Sequence, residues 1–122
     1  MCDSKSVLIV DDSRVSRMMI RAIVTDTHPG WRLTEAGSSD EALSVQDGCD
    51  FDLVILDYNM PGMDGVTLGG KLKVLHPDAH IYLLTANIQD SVQRRAQQNG
   101  LQFVRKPITE DRIQGILNSL ES

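Results

Sequence analysis

The chain is poor in several residue types, and each shortage excludes something. Of its 122 residues, two are Cys, four Pro, one Trp, two Tyr and two Phe. Cys2 and Cys49 form no C-x-x-C pair, so neither a disulfide framework nor a thiolate metal site is expected; both read as incidental thiols in a reducing compartment. No apolar run approaches the roughly 20 residues needed to cross a bilayer. The opening MCDSKSVLIV lacks the basic stretch and long apolar core of a secretion signal. Positive charge is short as well: 12 Lys and Arg against 17 Asp and Glu leave a net charge of −5. That argues against direct binding of nucleic acid or of an anionic membrane surface. A soluble, cytoplasmic chain forming one ordinary domain over residues 1–122 is expected.

What is present is an alternation. Short apolar runs occur at Val7–Val10, Leu53–Leu56 and Ile81–Leu84, with weaker ones at Trp31–Ala36 and Leu101–Val104. Runs apolar throughout belong to strands covered on both faces, whereas Trp31-Arg32-Leu33-Thr34 alternates as an edge strand does. Between them lie segments of helical spacing. Ser13 is placed to cap the first, in which Val15, Met18, Met19, Ala22 and Ile23 recur as one face and are read as core. Ser38 and Glu41 have the capping-box form and open a second helix. Leu68, Leu72 and Leu75 mark a third, which follows an Asp64-Gly65 turn and should stop by His76-Pro77. Its Gly69-Gly70 pair is a blemish, each glycine costing about 1 kcal/mol relative to alanine. Residues 88–99 make the least convincing helix, ended by Gly100, with Arg94-Arg95 on its solvated face. Thr109 caps a last helix lined by Ile113, Ile116, Leu117 and Leu120. The order is (βα)5, an α/β doubly wound parallel sheet.

In such a sheet the ligand site lies beyond the carboxyl ends of the strands. There the sequence sets Asp11-Asp12, Asp57, Thr85 and Lys106-Pro107, whereas the second strand, ending near Glu35-Ala36, adds nothing obvious. Two unit charges about 4 Å apart at an effective dielectric of about 20 repel by on the order of 4 kcal/mol. Three convergent carboxylates therefore call for a hard divalent cation, and Mg²⁺ fits because it takes oxygen ligands and leaves positions for phosphate oxygens. Lys106 offers a point charge and Thr85 a hydroxyl for a phosphoryl oxygen. The set suits phosphoryl transfer, with Asp57, alone at the end of a rigid apolar strand, as the nucleophile. His28, His76 and His80 have no metal-ligand spacing.

Four motifs, VLIVDDS (7–13), LVILDYNMPGMDG (53–65), LLTA (83–86) and FVRKP (103–107), together resemble the response-regulator receiver domain of two-component signalling, over essentially the whole chain. The resemblance implies a flavodoxin-like, CheY-like sheet of strand order 2-1-3-4-5. It implies Asp57 as phosphoacceptor, and Mg²⁺ held by Asp12, Asp57 and the backbone carbonyl of Asn59, with Asp11 acting through water. Thr85 and Lys106 would hold the phosphoryl group, Thr85 and Phe103 would form the switch, and the bond before Pro107 would be cis. The donor would be a sensor histidine kinase or a histidine phosphotransfer protein, and the output a protein partner met through the 88–120 surface. Phe103 stands where a tyrosine is frequent, so any hydroxyl contact is absent. Asn59 and Asn87 occupy positions that tune loss of the phosphoryl group. The implied protein is a switch rather than an enzyme, with self-phosphorylation and autodephosphorylation its only chemistry.

Two other classes fit less well. An aspartate-nucleophile phosphatase wants D-x-D after its first strand, and here the two acids are adjacent. A flavin binder must cradle a phosphate in that first loop, where Asp11-Asp12 would repel it.

Overall fold

Each apolar run becomes a strand and each periodic segment a helix. The structure, a computed structural model, describes residues 5–45, 51–58, 63–86 and 89–121, the last two as backbone. The elements run β1 (Ser6–Val10), α1 (Arg14–Thr27), β2 (Arg32–Ala36), α2 (Ser39–Val45), β3 (Leu53–Asp57), α3 (Gly65–Leu75), β4 (His80–Thr85), α4 (Asp90–Gln98), β5 (Gln102–Arg105) and α5 (Glu110–Glu121). All strand pairs are parallel, in the order β2-β1-β3-β4-β5, as expected from the resemblance. β3, central and apolar, is buried along its whole length. Cys2, Cys49, Asn59, Asn87 and the start of the expected 88–99 helix lie outside the described residues. Among the described residues no helix is long and apolar enough to cross a membrane.

Because side chains alternate across a strand, the sheet has two cores. On one face Leu8, Val10, Val54, Leu56, Ile81 and Leu83 meet apolar residues of α2, α3 and α4. On the other, Val7, Ile9, Leu53, Ile55 and Leu84 meet Ile20 and Val24 of α1 and Ile113, Ile116 and Leu117 of α5.

The buried face of α1 is not the expected one. Val15, Met18 and Met19 are 66%, 56% and 44% exposed, and Ala22 is exposed too. The helix buries Ile20 and Val24 instead, with Ile23 half-buried. α1 carries apolar residues on two sides, so periodicity alone could not choose between them. The inner side is the one that also brings Arg17 toward the sheet. Leu75 is likewise exposed, at the C-terminal end of α3.

The helix ends follow their caps. Ser13 Oγ accepts from Ser16 N, Ser38 Oγ from Glu41 N, and Thr109 Oγ1 from Arg112 N. Asp64 Oδ1 accepts from Thr67 N at 2.9 Å, so this residue is the N-cap of α3. α4 buries Val92 and Ala96, and Gln89 makes no capping hydrogen bond from its side chain. Gly69-Gly70 has a packing reason. A Cβ at Gly69 would come 2.7 Å from Leu101 Cδ1 and one at Gly70 2.7 Å from Asn99 Oδ1, so α3 lies directly against the turn joining α4 to β5.

Candidate functional site

The register of the sheet assembles the site. Val10 pairs with Leu56, so the residues that follow them, Asp11 and Asp57, leave neighbouring strands side by side. Asp57 pairs with Leu84, and Thr85 pairs with Arg105, which puts Thr85 and Lys106 on the same rim. The backbone closes it: Lys106 N donates to Thr85 O at 2.9 Å, and Tyr58 N to Leu84 O at 2.9 Å. At Gly65 a Cβ would meet the carbonyl oxygen of Asp57 at 2.5 Å. The start of α3 therefore sits against the end of β3, an approach only a glycine allows.

Carboxylate oxygens of Asp11, Asp12 and Asp57 all lie within 4.8 Å of one another. Asp11 and Asp57 are buried, at 1% and 4% exposure, while Asp12 is exposed. Lys106 Nζ stands 2.8 Å from Asp57 Oδ1. Thr85 is fully buried. The bond between Lys106 and Pro107 is cis. Asp11, Asp12, Asp57 and Lys106 are thus brought together, with Thr85 on the same rim; Asn59 and Asn87 lie outside the described residues.

The electrostatics are unfavourable as they stand. Burial pushes the Asp11 carboxyl above the ordinary 3.8, and the Ser13 N–H pulls it back. Asp57 and Asp12 add like-charge repulsion, and Lys106 offsets part of it. One buried oxygen, Asp11 Oδ2, has no hydrogen-bond partner, whereas Asp57 Oδ1 is met by the Lys106 ammonium at 2.8 Å. A buried polar oxygen left without a donor costs about 1–3 kcal/mol, more when charged. An all-oxygen donor set of three carboxylates, one with a buried oxygen left without a donor, fits a hard cation such as Mg²⁺.

Phe103 belongs to the same face of the sheet as Thr85. It pairs with Leu83, two residues before Thr85, and residues two apart share a face. Half-buried, it packs on the core under α3 and α4.

Two features escaped the sequence reading. Glu35, on the strand thought to add nothing, binds Arg17 and Arg21. The spacing of Arg17, Ile20 and Val24 on one face was the available signal. The other is the exposed apolar stripe of α1, which begins three residues after Asp12.

The sequence matches the family model for the response regulator receiver domain over residues 7–118. It is 34% identical to the chemotaxis protein CheY of Bacillus subtilis over 114 residues, covering 92% of this chain and 93% of that one. It is 35% identical over 106 residues to the cyclic di-GMP phosphodiesterase response regulator RpfG of Xanthomonas campestris, but spans only 28% of that protein's length. Among solved structures, the chemotaxis response regulator CheY4 of Vibrio cholerae superposes with a TM-score of 0.85 at 25% identity, covering 96% of this chain and 98% of that one.

Proposed function

The chain belongs to the response regulator receiver family, and from that premise we propose that Asp57 accepts a phosphoryl group and thereby switches a protein-binding surface. The observation that carries the reading is the buried carboxylate of Asp57 within shared ligand distance of Asp11 and Asp12, with Lys106 Nζ across from it at 2.8 Å.

The donor is a phosphohistidine on a sensor histidine kinase or a histidine phosphotransfer protein. An oxygen of Asp57 attacks phosphorus in line; the new O–P bond forms as the P–N bond to the donor imidazole breaks, and the imidazole leaves with the electron pair. β3, buried at every position, holds the nucleophile rigid. Lys106 meets the charge on the transferred oxygens. Asp12, Asp57 and the Asn59 carbonyl would hold Mg²⁺, with Asp11 reaching it through water. Bound there, Mg²⁺ supplies charge neutralisation for the phosphoryl oxygens. The exposed stripe of Val15, Met18 and Met19, running away from the acid rim, supports α1 as the surface on which the donor rests. Beyond this transfer and the hydrolysis of its product, the chain performs no catalysis.

The phosphoryl group adds charge and acceptors next to Thr85. Thr85 turns toward it, and the space it leaves lets Phe103, on the same face, move deeper. The surface formed by α4, β5 and α5 (88–120 in the sequence) then shifts between two populations. α4 starts without the side-chain cap that α1 and α3 have, and elements of low local stability are the ones that move. The partner is a downstream protein, the compartment the cytoplasm, and residues 1–122 act as one receiver domain.

Incubation with acetyl phosphate or beryllofluoride, with and without Mg²⁺, tests the assignment. A Mg²⁺-dependent adduct is expected on the native chain and none on Asp57→Asn. An adduct that survives this substitution would refute it.

A further inference from the structure

The end of β1 is held by a guanidinium for which the phosphoryl chemistry has no use. Arg17 Nη1 donates a close hydrogen bond to the backbone carbonyl of Asp11. Its Nε donates to Glu35 Oε1 at 3.1 Å, and Arg21 Nη1 takes the second oxygen of Glu35 at 3.0 Å. The Arg17 side chain is only 17% exposed and that of Glu35 28%, so this pair is far less solvated than an ordinary surface contact. Gly37 borders it: a Cβ there would stand 3.3 Å from Arg17 Nη1, and its absence leaves the guanidinium room.

Asp11 is consequently fixed at every point but one. Its N–H donates to Ala36 O at 3.1 Å, its carbonyl accepts from Arg17, and its Oδ1 accepts from Ser13 N at 2.8 Å. Only Oδ2 is left unbonded. The choice of the carbonyl matters. A guanidinium on the Asp11 carboxylate would cancel the charge that a cation needs. On the carbonyl it sets the direction of the main chain and leaves the carboxylates of Asp11 and Asp12 intact, while Glu35 balances its charge.

We propose that Arg17, braced by Glu35, is a positioning residue that orients the Asp11-Asp12 carboxylates toward a shared divalent cation. This rests on the reading of these acids as cation ligands. Groups that orient metal ligands from behind typically contribute about 10- to 100-fold in affinity.

The test is a Mg²⁺ titration of the unphosphorylated chain, followed through the backbone amides of Asp12, Ser13 and Asp57 by NMR; the same spectra report whether each variant is folded. Arg17→Ala should need about tenfold more Mg²⁺ than the native chain. Glu35→Gln should shift the affinity in the same direction by less. Adding Glu35→Gln to Arg17→Ala should change nothing further, because the brace then has nothing to hold. Affinities of the native chain and Arg17→Ala within about twofold of each other, or losses that simply add in the double variant, overturn the proposal. Should Arg17→Ala lose its dispersed spectrum, Glu35→Gln decides, and an unchanged affinity there overturns it. Native Asp12 and Asp57 amides that ignore Mg²⁺ would instead overturn the underlying reading of the acids.

Discussion

Lys106 Nζ lies 2.8 Å from Asp57 Oδ1 across the carboxyl end of the sheet. The lysine offsets part of the charge in a cluster of three acids. The Lys106 side chain is 27% exposed and that of Asp57 5%, so removing the lysine leaves the acid buried and uncompensated. Lys106→Met should lower stability by about 1–3 kcal/mol in metal-free buffer. Part of that loss should return as Mg²⁺ is added, because a cation that binds only the folded chain stabilises it by mass action. Urea unfolding with and without Mg²⁺ measures both effects; an identical loss in the two conditions would mean that cation and lysine do not share a site.

The exposed stripe of α1 separates two readings of the same helix. Were Met18 core, a charged replacement would be severe. Since Met18 is 56% exposed, Met18→Glu should change stability by no more than about 0.5 kcal/mol. Ile20, 1% exposed, should cost about 2–5 kcal/mol on replacement by alanine. Denaturant midpoints of the two variants decide it. If α1 receives the donor, Met18→Glu should also slow transfer from a phosphohistidine protein and leave acetyl phosphate labelling unchanged.

The comparison of those residues shows what the sequence could and could not reveal. Strand and helix positions were legible because Leu53–Leu56 and its counterparts are apolar throughout, with caps such as Ser13 and Ser38 marking where helices begin; the spatial order of the strands came from the family resemblance. The site was legible because a parallel sheet delivers whatever follows its strands to one edge. α1 was misread because Val15, Met18 and Ala22 repeat with the same period as Ile20 and Val24, and a period does not say which stripe meets the sheet. Glu35 was missed because its role depends on a contact with Arg17, 18 residues away in the chain, that no local pattern encodes.

Asp64 carries the pH dependence of α3. Burial raises its carboxyl, but hydrogen bonds from Thr67 and the Arg95 guanidinium outweigh it, and the group ends below the ordinary 3.8. A carboxylate lowered in the folded chain contributes stability above its unfolded value and loses it as pH falls through the folded one. Asp64→Ala should therefore cost about 1 kcal/mol near neutral pH, the usual worth of an N-cap. The gap should narrow below about pH 4. The Arg95 contact, 3.3 Å long with both side chains well exposed, should add little, so Arg95→Ala should cost under about 0.5 kcal/mol. Urea midpoints at neutral and acidic pH check the sign; a gap that widened in acid would contradict it.

The two glycines of α3 should part company when each is replaced by alanine. Both substitutions gain helix propensity of about 1 kcal/mol. At Gly69 the new methyl would meet Leu101 Cδ1 at 2.7 Å and Cδ2 at 3.1 Å, and Leu101, only 4% exposed, has no free direction in which to retreat. Overpacking of that kind costs about 1–3 kcal/mol, so Gly69→Ala should be neutral at best and destabilising by up to about 2 kcal/mol. At Gly70 the obstacle is the amide oxygen of Asn99 at 2.7 Å, the end of a side chain on an exposed residue. Asn99 can swing outward, giving up the hydrogen bond that its Nδ2 donates to Arg95 O. Gly70→Ala should then lie within about 0.5 kcal/mol of the native chain, since the lost bond and the gained propensity nearly cancel. The same movement would loosen the turn between α4 and β5. Faster amide exchange in Asp90–Gln98 of the Gly70 variant, at unchanged global stability, is the measurement that ties the packing of α3 to the mobility of α4.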